Sequence, residues 1–144
     1  MKHRELTGKI IGACYTVADE LGHGFVESVY HQALMIALAQ RQLTAQKEVP
    51  LKVHFQGQVV GEFAADIIVN GLVLVEVKAV KALRGEHQAQ VINYLNATEV
   101  EIGLLVNFDT PRPEIKRCVR RGMQPTWSDA HVPERPAWRG TEQN

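Results

Sequence analysis

The sequence predicts a mixed α/β domain in the order ααβββαβ, a mixed central sheet flanked by helices. Three observations carry that prediction. Apolar residues recur every three or four positions over two N-terminal stretches, the period of a helix that buries one side. From Lys47 the pattern changes to strict alternation, interrupted by Gln56-Gly57 and Asn70-Gly71, which reads as a meander of three strands. A third helical stretch then leads to the short continuous apolar run Gly103–Phe108, as expected of a strand buried on both faces. Helices before and after a meander have to cover its two faces, which gives the layered arrangement.

From Glu5 to Leu21, Leu6, Ile10, Ile11, Cys14, Val17, Ala18 and Leu21 form the buried stripe, and Gly22 supplies a stop. The second helix spans about Val26 to Arg41, with Val29, Tyr30, Ala33, Leu34, Ala37 and Leu38 inward. Glu27 sits in its first turn, where a carboxylate suits the helix dipole. In the first strand Val49, Leu51, Val53 and Phe55 share a face, and Pro50 argues for a sheet edge because it cannot donate to a neighbour. The second strand reaches Val69 and the third runs from Leu72 to Lys78. A helix over about Glu86–Asn96 turns Val91, Ile92 and Leu95 inward. Pro111 and Pro113 break the chain after Phe108, and Ile115–Val119 is an optional fifth strand in the most basic stretch, which includes Arg112, Lys116, Arg117, Arg120 and Arg121. Residues 1–121 are expected to form the domain and 122–144 an irregular tail, with Trp127 or Trp138 docking back on it.

Composition narrows the function. The chain has 144 residues, 45% of them hydrophobic and 22% charged, with 16 Lys and Arg against 16 Asp and Glu. That is ordinary globular chemistry for one domain. A formal charge of zero announces no bulk nucleic-acid affinity, although a local patch can suffice. The two cysteines, Cys14 and Cys118, have neither metal-site spacing nor a disulfide framework. No stretch has the character of a signal segment or reaches transmembrane length. A soluble cytoplasmic protein without a membrane association is the expectation.

The chemistry concentrates between Glu62 and Lys78, EFAADIIVNGLVLVEVK. Asp66, Glu76 and Lys78 are ionisable groups on otherwise apolar strands, costly to bury without a use. A metal ion with a reactive water would be such a use. Geometry then constrains the turn. A two-residue Asn-Gly loop would pair Val69 with Leu72 and set Glu76 on the face opposite Asp66. A three-residue loop, Val69-Asn70-Gly71 with Gly71 left-handed, pairs Ile68 with Leu72, Asp66 with Leu74, Ala64 with Glu76 and Glu62 with Lys78. That register, or an equivalent bulge elsewhere, is predicted. It makes one face apolar (Phe63, Ala65, Ile67, Val69, Val73, Val75, Val77) and places Glu62, Asp66, Glu76 and Lys78 on the other. Asp66 and Glu76 become diagonal neighbours roughly 7–8 Å apart at Cα.

Asp66, nine residues, then Glu76-x-Lys78 resembles the PD-(D/E)XK nuclease superfamily. Gly24-Phe25-Val26-Glu27-Ser28-Val29-Tyr30 is similar to the GxxExxY signature of a small bacterial branch of it, and Gln90-Val91-Ile92-Asn93-Tyr94 to the QxxxY helix motif. The motifs and elements occur in the same order, over about Leu6 to Val119. Ala65 stands where the superfamily's naming proline would be, a position where members often lack it.

The resemblance implies a restriction-endonuclease-like core and a magnesium-dependent nuclease, with manganese able to substitute, acting on DNA or, as the less favoured substrate, RNA. It implies metal ligation by Asp66, Glu76 and the Val77 carbonyl, with Glu27 as an additional ligand, directly or through water. Cleaving a phosphodiester requires a nucleophilic water, neutralised phosphate charge and help for the leaving oxygen, which magnesium on carboxylates supplies. Lys78 projects to the same face, to orient or deprotonate the water or to stabilise phosphate charge. Gln90 and Tyr94, at i and i+4 on one helix side with His87 on the same stripe, would contact a metal-bound water or the phosphate. Lys81 and Arg84 would guide the backbone anion. Plainer readings stand beside these: a dipole role for Glu27, a Lys78–Glu62 pair across the hairpin, a rim position for Tyr94, and surface or hydrogen-bonded roles for His23, His31 and His87. A nuclease-fold protein that binds nucleic acid or a partner protein without cutting is the alternative, and a regulatory or structural subunit that forms a homodimer is another.

Overall fold

The computed structural model describes residues 3–120. The expected tail 122–144, with Trp127 and Trp138, lies outside the described residues, as does Arg121. The elements are α1 (Arg4–Leu21), α2 (Glu27–Gln40), β1 (Ala45–Phe55), β2 (Gln58–Val69), β3 (Val73–Lys78), α3 (Gly85–Asn96), β4 (Ile102–Asn107) and β5 (Glu114–Val119). This is the predicted order with the fifth strand present. The strands form one mixed sheet in the order β1-β2-β3-β4-β5. β1, β2 and β3 are an antiparallel meander, β4 is parallel to β3 after the α3 crossover, and β5 returns antiparallel. This is the mixed sheet flanked by helices expected of a restriction-endonuclease-like core. β1, with Pro50, is an edge strand as that residue requires, and every residue of β4 is buried.

The two faces are covered separately. Ile10, Cys14 and Val17 of α1 and Tyr30, Leu34 and Leu38 of α2 pack on Ile67, Val69, Val73, Val75 and Val77. Ala89, Val91, Ile92 and Leu95 of α3 pack on Leu51, Ala65, Ile68, Leu74 and Leu105 from the opposite side. Arg41 ties the end of α2 to α1 through Thr16 Oγ1 at 2.8 Å. α3 sits close on β4 because Gly103 has no side chain: a Cβ there would lie 2.7 Å from Val91 Cγ1. Among the described residues no helix is long and apolar enough to cross a membrane.

Two expectations for the hairpin are corrected. The extra residue of the loop is Leu72, not Val69. Asn70 and Gly71 are both left-handed, at φ 53° and 67°. Leu72 N–H closes the turn on Val69 O at 2.9 Å, and the ladder resumes at Val69↔Val73, followed by Ile68↔Leu74 and Ile67↔Val75. Burial explains the choice, since Val69 is fully buried whereas Leu72 is 41% exposed. The parity needed for a common site survives, but partners along β3 are displaced by two residues from the predicted register. Continued one step, the observed register sets Asp66 directly opposite Glu76 rather than diagonal to it.

The second correction concerns β2 itself. Phe63 and Ala65 were expected on one face with Ile67 and Val69. Ala65 packs on the α3 side, Phe63 touches Tyr94 of α3, and Ile67 lies on the α1–α2 side. The alternation therefore breaks at Asp66. The β1–β2 pairing runs from Lys47↔Ile67 to Val49↔Ala65 with no pair between them, and Glu48 opposite the gap is left-handed at φ 50°. A backbone whose polar groups leave the ladder has to satisfy them elsewhere, and at Asp66 they go to side chains.

Candidate active site

Asp66 is the pivot. Its N–H donates to Glu76 Oε2 at 2.8 Å, and its carbonyl accepts from His31 Nε2 at 3.0 Å. Its own carboxylate accepts the N–H of Val77 through Oδ2 at 2.8 Å. Where β2 and β3 would continue pairing, two reciprocal carboxylate-to-backbone bonds replace the ladder. This opens the sheet between the strands and fixes both carboxyl groups in the gap, each with one oxygen engaged by an N–H.

Electrostatics follow from that confinement. Glu76 is 4% exposed. Burial first, and the neighbouring Asp66 charge second, push its carboxyl up to about 8, against the opposing pull of the Asp66 N–H and of Lys78. A cation beside such a carboxyl would favour its charged form. The donor set fits magnesium, which binds through one or two carboxylates plus carbonyl and water oxygens and keeps much of its hydration. The Val77 carbonyl would join that set by strand geometry. Lys78 O turns to β4, where Phe108 N–H meets it at 2.9 Å. Backbone groups alternate in direction along a strand, so the Val77 carbonyl faces the gap that holds Asp66. Among the described residues no three His, Cys, Asp or Glu side chains converge as a metal cluster, so Glu27 stands apart from the carboxylate pair.

Glu27 is nevertheless part of the same field. Its carboxyl is raised, by partial burial first; Lys78 and His31 pull it down and Asp66 pushes it up. Glu27 and His31 are one helical turn apart, and the His31 bond to Asp66 O brings the N-terminus of α2 to the break in the sheet. Tyr30 holds the entry to that helix. Its hydroxyl donates to Gly22 O at 2.7 Å and accepts from Phe25 N–H at 3.1 Å, while its ring stacks on Phe108 at 4.8 Å. Gly24, at φ 113°, makes the turn that Tyr30 secures. The spacing of Gly24, Glu27 and Tyr30 thus has a mechanical meaning: the tyrosine anchors the loop that leads into α2, whose first residue is the glutamate.

α3 supplies the opposite wall. Lys78 Nζ donates to Gln90 Oε1 at 3.3 Å, not to Glu62, which is paired along β2 with Lys52 in the part of the hairpin beyond β3. Gln90 therefore turns its amide nitrogen away from the lysine, as a donor. The Tyr94 phenol is raised by burial and by the charges of Glu76 and Asp66, so it remains a hydrogen donor. His87 is lowered, by burial first and Lys78 next; its Nδ1 accepts Arg84 N–H at 2.9 Å and caps α3. Lys81 and Arg84 are exposed on the loop after β3. Asn107, fully buried, holds the start of that loop by accepting Val80 N–H at 2.9 Å and donating to Val80 O at 2.8 Å.

The structure thus brings Asp66, Glu76, Val77, Lys78, Gln90 and Tyr94 together, with Glu27 at the margin. Sequence reasoning placed Tyr30 on the inward stripe and in the GxxExxY match without a hydrogen-bonding role, gave Asn107 no role, and placed His31 only as a surface or hydrogen-bonded residue. For Tyr30 a signal existed, a hydroxyl on an inward helical stripe that needs a partner. For His31 and Asn107 the partners are remote in sequence and no local pattern marks them.

Comparison with known proteins gives two positive findings. The family model described as the PD-(D/E)XK nuclease superfamily matches residues 4–118. The crystal structure of SSO0001 superposes with a TM-score of 0.53 at 22% identity, covering 85% of this chain and 60% of that one. At that identity the likeness concerns the fold alone, and this chain spans 60% of the length of that protein. No curated protein matches the sequence significantly.

Proposed function

Given that this chain belongs to the PD-(D/E)XK nuclease superfamily, we propose that it is a magnesium-dependent nuclease that hydrolyses phosphodiester bonds, in DNA before RNA, with manganese as a substitute. The spacing of Gly24, Glu27 and Tyr30 supports membership of the GxxExxY branch. The observation that carries the function is the reciprocal bonding of Asp66 and Glu76, which holds two carboxyl groups in a break in the sheet.

Asp66, Glu76 and the Val77 carbonyl would hold the ion. Bound there, magnesium supplies charge neutralisation at the phosphate, acidification of a water and help for the leaving oxygen. The remaining work falls to the chain. The gap between β2 and β3 directs both carboxyl groups to one point. Lys78, held by Gln90, presents a positive charge to the phosphate and to the incoming water. The Gln90 amide nitrogen and the Tyr94 hydroxyl donate to phosphate oxygens, adding to charge stabilisation where it develops. Glu27, at the positive end of α2, orients a water on the far side. Lys81 and Arg84 draw the polynucleotide backbone towards the loop after β3.

The test is cleavage of plasmid, single-stranded DNA and RNA with magnesium, manganese or chelator. Metal-dependent cutting that Asp66→Ala and Lys78→Ala each reduce by about 10²–10⁴-fold is expected. Metal-independent cutting, or cutting that survives both substitutions, refutes the mechanism. Binding without cutting on every substrate replaces it with the non-cleaving reading.

A further inference from the structure

A groove lies between the outer half of the β1–β2 hairpin and α3. Its volume is about 1140 Å³, and its lining includes Gln90, which accepts from Lys78 Nζ, and Tyr94, whose phenol feels the charges of Glu76 and Asp66. Through those two residues it borders the site. Its charges cancel formally, Lys52 and Arg120 against Glu86 and Glu99. Such a lining has too few net cations to grip a duplex by its phosphates alone. What it offers is ring surface and amide edges.

The ring surface has a specific construction. Phe63 lies 5.7 Å from Tyr94, tilted by 40°, and is 49% exposed. Gly61, two residues earlier on the same strand, permits this pose: a Cβ there would fall 3.0 Å from Phe63 Cε2. The ring thus rests against its own backbone with area left to solvent. The break in alternation at Asp66 is what turns Phe63 to the α3 side. Nothing in the core uses the exposed ring, whereas a large aromatic beside an amide-bearing helix matches an unpaired base. Asn93, exposed on α3, and the Gln90 amide nitrogen lie along the same wall. Arg120 is braced at the far end by its bond to Thr98 O at 2.7 Å.

We infer that this groove receives a single strand of nucleic acid, with an unpaired base stacked on Phe63 beside Tyr94, and with Lys52 and Arg120 at its phosphates. A base inside a duplex is closed off by its stacking neighbours, so the groove selects single strands, unpaired ends or flaps. The inference rests on the nuclease reading, because the groove borders the site of Asp66 and Glu76.

The experiment uses the full chain with calcium or chelator in place of magnesium. Labelled single strands about 4–16 nucleotides long, as DNA and as RNA, are compared with the duplex of the same sequence by fluorescence anisotropy. Single strands are expected to bind more tightly than duplex. Phe63→Ala should weaken them about 5- to 150-fold while leaving duplex binding unchanged, and Phe63→Trp should retain them. Phe63→Leu, which keeps apolar area without a ring, should behave as the alanine variant, and thermal melting checks that each variant is folded. Single-strand binding within about twofold of wild type in both Phe63→Ala and Phe63→Leu overturns the inference, since stacking is worth more than that. So does parallel loss on single strands and duplex, or the absence of single-strand binding by the wild type. The DNA and RNA arms identify the sugar that the groove accepts. Phe63-dependent single-strand binding with no metal-dependent cleavage refutes the nuclease mechanism alone; cleavage with Phe63-independent binding refutes this inference alone.

Discussion

Glu76 offers the sharpest test, because its protonation is tied to both stability and metal binding. Burial and the facing Asp66 hold its carboxyl up at about 8, against an ordinary value of 4.5. The native state therefore retains a proton that the unfolded chain has released at every pH between those values. The contribution of Glu76 to stability without metal falls as pH rises through this window, with a slope of at most about 1.4 kcal/mol per pH unit for one proton. Below the lower value both states are protonated and the contribution is fully present. Relaxation of the Asp66–Glu76 pair reduces the total, and a loss of about 2 kcal/mol across the window is expected, roughly 6–8 °C in Tm for a chain of this size. Glu76→Gln is the control, since glutamine imitates the protonated carboxyl and does not titrate. The assay is Tm against pH from 5 to 9 in chelator, read as wild type minus Glu76→Gln. The difference should be least negative at pH 5, grow more negative up to about pH 8 and level off towards pH 9. Magnesium should reverse it in the wild type only, with proton release on binding visible as a buffer-dependent heat in titration calorimetry. A difference that stays flat with pH refutes the account of the carboxylate pair.

The other expectations concern the supports of the site. Tyr30→Phe leaves Gly22 O and Phe25 N–H without their partner, which should cost about 1–3 kcal/mol in denaturant unfolding; because that loop sets the start of α2, where Glu27 stands, cleavage should fall more than melting alone explains. Refutation there is an unchanged unfolding midpoint. Gly103→Ala forces a methyl to within 2.7 Å of Val91 Cγ1 and should destabilise by about 1–3 kcal/mol through overpacking between α3 and β4, measured by the same unfolding; a neutral result would mean that α3 moves freely on the sheet.

Much of this protein is written in local sequence. The helical periods, the alternation from Lys47, the edge position of Pro50 and the unbroken apolar run of β4 each follow from how many faces an element buries, and burial is recorded residue by residue. The carboxylates and the lysine were legible for the same reason, as charges where apolar neighbours predict none. Even the parity of the hairpin was legible, because a common site for Asp66 and Glu76 demands an odd loop. Tertiary structure decided which residue is the odd one. Val69 and Leu72 are equally apolar, and only the packing of Val69 under α1 and α2 distinguishes them. It also decided the break at Asp66, whose N–H donates to Glu76, ten residues later, and whose carbonyl accepts from His31, 35 earlier, in place of the ladder. That break turned Ala65 and Phe63 to the face opposite the predicted one and built the groove beside α3. Period-two alternation assumes an uninterrupted ladder, and a strand whose backbone bonds pass to remote side chains no longer obeys it.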